Sequence, residues 1–294
     1  MLVLGSPIFI KEDQVNYSAQ IDNEDELELL ITRIKENGFK AAYCPYIDLK
    51  NTSLIRQAKE AFQKEGILLG ELGYWENMMD TNPDDRERKR QGVMDALALA
   101  DELGAYCAIT CVGTFANGSH RQHRAESFSE RAFDEIVNLA QQVIDTVQPK
   151  TAKFCYEIYQ FNVLDNIDDM ERAVKAVNRK EFASHMDLVN LVNSPRNFFK
   201  NLELCRDFTE RLGDSLISCH VKDVWMNTDV NDDVAFKEVM CGRGGIDLAG
   251  SMKVLSELDK TVPYMMEHLT SQEDYFEEAA YLRTLAADNN IELI

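Results

Sequence analysis

Eight short apolar runs, each closing on polar residues and each followed by a longer segment with helical spacing, dictate most of what this chain can fold into. The first four are LVLG (2–5), KAAYC (40–44), ILLGE (67–71) and AYCAITCV (105–112). The second half repeats the rhythm with KFCYE (153–157), FASHMD (182–187), LISCHV (216–221) and VPYMMEH (262–268). Runs of this length, bounded by turn residues and alternating with amphipathic segments, read as buried strands joined by crossover helices.

The helical segments carry their own punctuation. Asn82-Pro83 and Ser194-Pro195 pair an N-cap with a first-turn proline, and Gly38, Gly66, Gly104 and Gly213 fall just past predicted helix ends. Strand and helix alternate without a Pro/Gly/Ser-rich linker or a low-complexity tract, so the units belong to one parallel sheet. Eight units in 294 residues fit a closed (β/α)8 barrel, a TIM barrel, as a single domain over 1–294. An open doubly wound sheet is the alternative, but the first run is not followed by G-x-G-x-x-G. The longest irregular stretches, 72–82, 112–126, 158–166 and 222–246, all follow predicted strands, on the face where barrels build active sites.

Charge narrows the function. Lys and Arg number 31 against 51 Asp and Glu, a formal charge of −20, which repels phosphate backbones and anionic membranes. Nucleic acid and membrane are therefore not expected partners. The opening MLVLGSPIFIKEDQ lacks a basic n-region and no stretch is long and apolar enough to span a bilayer. The seven cysteines form no C-x-x-C pair, which suits a reducing compartment rather than a disulfide framework or a structural zinc site. Cys107, Cys155 and Cys219 read as small buried hydrophobes. The expected compartment is the cytoplasm.

If the eight runs are strands, their last residues form a ring at the barrel mouth: Glu71, Glu157, Asp187, His220 and Glu267. Four carboxylates gathered in a low-dielectric mouth repel one another unless a cation compensates. Such an oxygen-rich set with one imidazole suits one divalent ion, first Mn²⁺, then Mg²⁺, with Co²⁺ or Zn²⁺ as further occupants. Trp75 is a candidate stacking wall for a sugar ring. SHRQHR (119–124) is a candidate lid or anion clamp, although a charged loop is ordinarily only solvated.

These residues resemble the xylose-isomerase-like barrels, the family of sugar phosphate isomerases and epimerases that also includes the ketose 3-epimerases. The likeness covers nearly the whole chain. It is carried by YWENMMDTNPDDRER (74–88), YEIY (156–159), SHMDLVNLVNSP (184–195), SCHVKD (218–223), GRGGID (242–247) and MMEH (265–268). The resemblance implies that Glu157, Asp187, His220 and Glu267 are the four metal ligands, and that Glu157 and Glu267 are the catalytic pair. It also shows a departure: the epimerase branch places a substrate-contacting His three residues after the metal-binding Asp, and Asn190 stands there in this chain.

The resulting expectation is a metal-dependent sugar or sugar phosphate isomerase or epimerase, acting by reversible proton transfer next to a carbonyl. Lys222 and Arg243 are candidates to contact substrate oxygens or a phosphate. His185, two residues before Asp187 and so on the same side of its strand, is a candidate substrate contact. Asn190 completes that set. Asn190 also favours an alternative, a lyase or hydratase acting on an oxidised sugar or cyclitol. A non-catalytic sugar-binding barrel and an abasic-site endonuclease are weaker rivals, since all four ligands are present and only five histidines occur. Loops on this face of a barrel often meet a second subunit, so a homodimer is a further expectation.

Overall fold

The computed structural model describes every residue except 12, 13, 15, 123, 161, 231 and 232. His123 of the SHRQHR segment therefore lies outside the described residues. All eight runs are strands: β1 (Leu2–Ser6), β2 (Ala41–Ala42), β3 (Leu68–Leu69) continued as β4 (Glu71–Gly73), β5 (Cys107–Thr110), β6 (Lys153–Glu157), β7 (Phe182–Asp187), β8 (Leu216–Val221) and, after the insertion below, β11 (Val262–Met266). They pair in parallel in the order β3-β2-β1-β11-β8-β7-β6-β5-β4.

The two ends of that order are halves of one strand, split at Gly70. Its N–H donates to the Ala42 carbonyl at 2.9 Å and its own carbonyl accepts from Cys107 N–H at 3.3 Å, so the third run bonds to β2 on one side and β5 on the other. Nine parallel strands thus form a nearly closed (β/α)8 barrel. A side chain at Gly70 would meet Met265 Sδ at 2.8 Å, and one at Gly5 would meet it at 2.4 Å. These two glycines make the space in which Met265 fills the barrel axis.

Helices α1 (Glu24–Glu36), α2 (Thr52–Glu65), α3 (Pro83–Leu103), α4 (Glu130–Val147), α5 (Ile167–Val177), α6 (Pro195–Phe199), α7 (Asn201–Leu212), α8 (Leu248–Ser256) and α9 (Gln272–Asp288) flank the sheet. Asn82 and Ser194 cap α3 and α6 with their side chains, each followed by its proline. Gly66 and Gly104 close α2 and α3 in the left-handed region, at φ 64° and 79°. Gly213 does not share that geometry: its φ is −52°, and it is needed because a side chain there would lie 2.3 Å from the Thr209 carbonyl oxygen. No described helix is long and apolar enough to cross a membrane.

One expectation is corrected outright. The stretch 222–246, read as irregular, holds an antiparallel hairpin of β9 (Asp223–Val230) and β10 (Asp233–Val239). Its strands are too polar to show as apolar runs, because the hairpin stands off the barrel with Val224 buried and Trp225 half-exposed.

Period-two alternation then decides what faces inward. Phe154 and Tyr156 of β6 join the large core between sheet and helices, whereas Cys155 packs with Cys107, Ile109 and Ala183 in a separate cluster inside the barrel. On the same inward parity stand Glu157, the pair His185 and Asp187, the trio Ser218, His220 and Lys222, and Glu267 just beyond β11. The carboxylates among them gather toward the mouth, where the apolar filling ends.

Candidate metal centre

Glu157 ends β6, Asp187 ends β7, His220 is the penultimate residue of β8, and Glu267 follows β11. One ligand atom from each lies within 4.8 Å of the other three, and all four residues are buried. His220 Nδ1 is 2.9 Å from Glu267 Oε1, 3.1 Å from Glu157 Oε1 and 3.8 Å from Asp187 Oδ2. Lys222 enters the same cluster, with Nζ 2.5 Å from Asp187 Oδ2 and 2.6 Å from Glu267 Oε1. The Asn190 amide donates to Glu157 Oε1 at 2.9 Å and to Asp187 Oδ2 at 2.8 Å, tying two of the carboxylates together.

Behind the ring stands Glu71. Its Oε1 lies 2.6 Å from His220 Nε2 and its Oε2 accepts from Ser218 Oγ at 3.0 Å. Because Nε2 faces that carboxylate, Nδ1 is the nitrogen presented to Glu157, Asp187 and Glu267, the arrangement by which carboxylates orient metal-binding histidines. Glu71, His185 and His220 also converge within 4.8 Å, but His220 Nε2 and Ser218 already occupy the two oxygens of Glu71.

The electrostatics follow from burial and crowding. Burial, helped by the charges of Glu267 and Asp187 and opposed by His220, pushes the Glu157 carboxyl up to about 7. Burial acts the same way on Asp187, but the Lys222 ammonium, with His220, prevails and holds it at about 2. Glu267 is likewise held well below the carboxylate range by His220 and Lys222 against its desolvation. His220 itself is desolvated, yet Glu267 and Glu71 raise it well above the ordinary imidazole value.

Does the set fit a divalent cation? Three carboxylates and one imidazole nitrogen, in reach of one point, match the donor preferences of Mn²⁺ and Mg²⁺ and tolerate Co²⁺ or Zn²⁺. Glu267 Oε1 is buried and is approached by Lys222 Nζ at 2.6 Å and His220 Nδ1 at 2.9 Å. Three buried carboxylates brought this close repel one another, and a divalent cation would offset that charge. The residues present fit a metal.

Above the ring opens a cavity of about 170 Å³, with Glu157, Glu267 and Asn190 at its floor. Trp75 stands in its wall, the indole 6.2 Å between centroids from the His220 ring. Gly73 permits that placement, since a side chain there would meet the indole at 2.6 Å.

A model described as Xylose isomerase-like TIM barrel matches residues 14–285. The chain belongs to that family. Among solved structures, a xylose isomerase-like TIM barrel protein from Mycobacterium smegmatis, in complex with magnesium, shares 16% identity at a TM-score of 0.64, over 90% of this chain and 88% of that one. D-psicose 3-epimerase from Clostridium cellulolyticum H10, solved with D-tagatose, shares 14% at 0.64, over 92% and 98%. The probable 3-DHS dehydratase AsbF of Bacillus anthracis shares 11% at 0.66, over 92% and 98%. At these identities the likeness is one of fold. No curated protein sequence matches.

Within this family barrel, the remaining candidates fall in different places. Trp75 and Asn190 line the cavity, and Lys222 lies within the ring. His185 does share the inward face with Asp187, but it is fully buried beneath the ring, 4.2 Å between centroids from His220, and it does not line the cavity. Arg243 is not at the mouth either: GRGG is folded around the buried Asp223, which accepts from Gly242, Gly244 and Ile246. That turn directs the Arg243 guanidinium outward to Glu277, at 2.9 Å.

Sequence reasoning missed several residues of the site. Asn16 and Tyr17 reach the cavity from the loop after β1, a segment whose length between LVLG and the Asn23 cap was the available signal. His268 follows Glu267 with a left-handed φ of 64°, and its Nδ1 lies 2.5 Å from Glu238 of the unexpected hairpin. A non-glycine residue in that region beside a candidate ligand is the kind of strained backbone found at functional sites.

Proposed function

We propose that this protein is a divalent-metal-dependent isomerase or epimerase of a sugar or sugar derivative, with Mn²⁺ as the first expected ion. The observation that carries the reading is the convergence of Glu157, Asp187, His220 and Glu267 under an open cavity. A cation held by these four residues would polarise a carbonyl and stabilise the negative charge that develops when a neighbouring C–H loses its proton.

The chain supplies the proton chemistry. Glu157 and Glu267 both reach the cavity, one with its carboxyl raised to about 7 and the other held well below its ordinary value. Two carboxyl groups at one mouth are suited to act as base and acid on a single substrate. Glu267, held ionised by His220 and Lys222, takes the proton from carbon. Glu157, held in place by Asn190, returns one. Lys222 keeps Asp187 and Glu267 ionised, and Trp75 gives the sugar ring an apolar wall. A small-molecule sugar partner is consistent with the size and polarity of the cavity.

The test has two parts. Metal content is measured on protein purified without added metal, for the native chain and for His220→Ala and Glu267→Ala. Metal-loaded protein is then incubated with a panel of sugars in heavy water. About one ion per chain, lost in both variants, with deuterium entering a carbon next to a carbonyl, is the expected result. Bound metal with water eliminated from an oxidised sugar, and no epimer formed, would assign the lyase or hydratase chemistry that Asn190 favours. Absence of any His220-dependent metal would refute the central claim.

A further inference from the structure

The cavity is acidic at its floor and basic at one side of its roof. The loop after β5 folds back over the mouth and places His120 and Arg121 in the cavity lining, across from Glu157 and Glu267. Its base is not free to wander. Asn77 donates to the Ala116 carbonyl at 2.9 Å and accepts from Thr114 N–H at 2.9 Å. Asp80, buried, accepts from Gly118 N–H at 2.9 Å and from Lys89 at 2.6 Å. Gly113, at φ 95°, lies so close that a side chain there would meet Asn77 Oδ1 at 2.0 Å. The loop is therefore clamped at its root and carries Arg121 at its tip.

Arg121 is the one arginine among the described residues lining this cavity. No carboxylate pairs with it among the described residues, whereas Arg90, Arg172, Arg179, Arg211 and Arg243 each lie against one. Its Nε donates to His120 Nε2 at 3.4 Å, which turns the guanidinium by its inner nitrogen. His120 is held neutral, pushed down to about 4 by burial and then by Arg121 itself, so it can accept that bond without adding repulsion.

On a chain of formal charge −20, an anionic substrate is repelled at long range, and a local guanidinium is what reverses the sign. We propose that Arg121 is a specificity residue that grips an anionic group, phosphate or carboxylate, at the end of the substrate remote from the reacting carbons. The inference rests on the proposed metal-dependent reaction only for the orientation of the other end. A planar fork of donors suits both anions in bidentate fashion. The cavity volume of about 170 Å³ falls below the roughly 300 Å³ at which drug-sized pockets begin, so the ligand is a single small molecule.

The test is calorimetric binding of D-fructose, D-fructose 6-phosphate and D-gluconate to Mn²⁺-loaded and metal-stripped protein, for the native chain, Arg121→Gln and Arg121→Lys. Arg121 is exposed, so neither variant threatens folding. At least one anionic probe should bind about tenfold or more tighter than fructose at low salt. Arg121→Gln should reduce that gap to about twofold or less, Arg121→Lys should restore part of it, and added salt should narrow it. A gap for the phosphate alone identifies phosphate as the recognised group, and one shared by gluconate admits carboxylate. Equal binding of fructose and both anions, a gap that survives Arg121→Gln, or no binding of either anion overturns the assignment. Mn²⁺ stoichiometry, read from the same samples, separates the two claims. An Arg121-dependent gap without Mn²⁺ binding would sink the metal reading alone, and Mn²⁺ binding without a gap would sink this one alone.

Discussion

Truncation of Glu71 distinguishes a carboxylate that orients a metal ligand from one that merely fills the barrel. Glu71, Ser218 and His220 are at most 3% exposed, so Glu71→Ala strands two donors: His220 Nε2–H, which has its partner at 2.6 Å, and Ser218 Oγ–H, at 3.0 Å. Ser218 has an alternative in Cys107 Sγ at 3.6 Å; the imidazole Nε2 has none among the described residues. One buried donor without a partner costs about 1–3 kcal/mol, and that loss bears on folding with or without metal.

The diagnostic quantity is instead the affinity for Mn²⁺. Losing an outer carboxylate of this kind typically weakens metal binding about 10–100-fold, or about 1.4–2.8 kcal/mol, because Nδ1 becomes less basic and the ring is no longer held toward the ligands. Glu71→Gln retains an acceptor for Nε2–H and loses the charge, so its affinity should fall between the native chain and Glu71→Ala. Calorimetric Mn²⁺ titration alongside thermal melts of the stripped proteins gives both readings. A Glu71→Ala protein that melts lower yet binds Mn²⁺ within about twofold of the native chain would refute the orienting role and leave Glu71 as packing.

Metal uptake should be strongly pH-dependent. Glu157 keeps its proton up to about 7 and His220 is raised above the ordinary imidazole value, and both must be deprotonated to bind, so Mn²⁺ affinity rises with pH and binding releases protons; calorimetry in two buffers of different ionisation heat would expose a pH-independent site. Glu278 is pushed up to about 7, chiefly by burial and with Asp223 and Asp274 adding to it, and its Oε1 has no hydrogen-bonding partner among the described residues. The folded state thus holds this proton more tightly than the unfolded chain, and stability falls as pH rises from about 4.5 to about 7. Glu278→Gln should gain on the native chain across that window, up to a ceiling of about 3 kcal/mol, and a difference in urea midpoints that does not change with pH would disprove it. Gly5→Ala should destabilise the barrel by about 1–3 kcal/mol through overpacking against Met265, and Met265→Ala in the same chain should relieve part of that cost; strict additivity of the two would contradict the packing argument.

The barrel was legible because its strands are buried on both faces. Leu2, Leu4, Phe154, Tyr156 and Phe182 meet the helices while Val3, Cys155 and Ala183 fill the interior, so each strand reads as an unbroken apolar run with no polar alternation to hide it. The same geometry made the mouth legible. An apolar run that ends abruptly in Glu, Asp or His can hold that charge only where the filling stops, and for Glu157, Asp187, His220 and Glu267 that inference led to one cluster. Glu71 lies at the break in the third strand and faces the opposite nitrogen of His220, a relation across the barrel that strand periodicity alone does not contain.

What stayed hidden is what depends on loop direction. His185 and Asp187 share a parity, and the sequence cannot say that one rung along the strand separates an oxygen at the mouth from a ring sealed beneath it. Arg243 sits in a glycine-rich turn, which suggested a close approach to ligand. The approach exists, but it is of Gly244 and Gly242 to Asp223, and the arginine is the residue left pointing away. His120 and Arg121 reverse the case. The sequence offers SHRQHR either as a lid or anion clamp or as a solvated loop, and His120 and Arg121 enter the cavity lining because Asn77 and Asp80, some 40 residues earlier, draw that loop over the mouth. The floor of this site is set by strand ends and was readable; its roof is set by hydrogen bonds between loops. Under the proposed function, selectivity for the substrate would rest on that roof, the part of the site that strand periodicity does not encode.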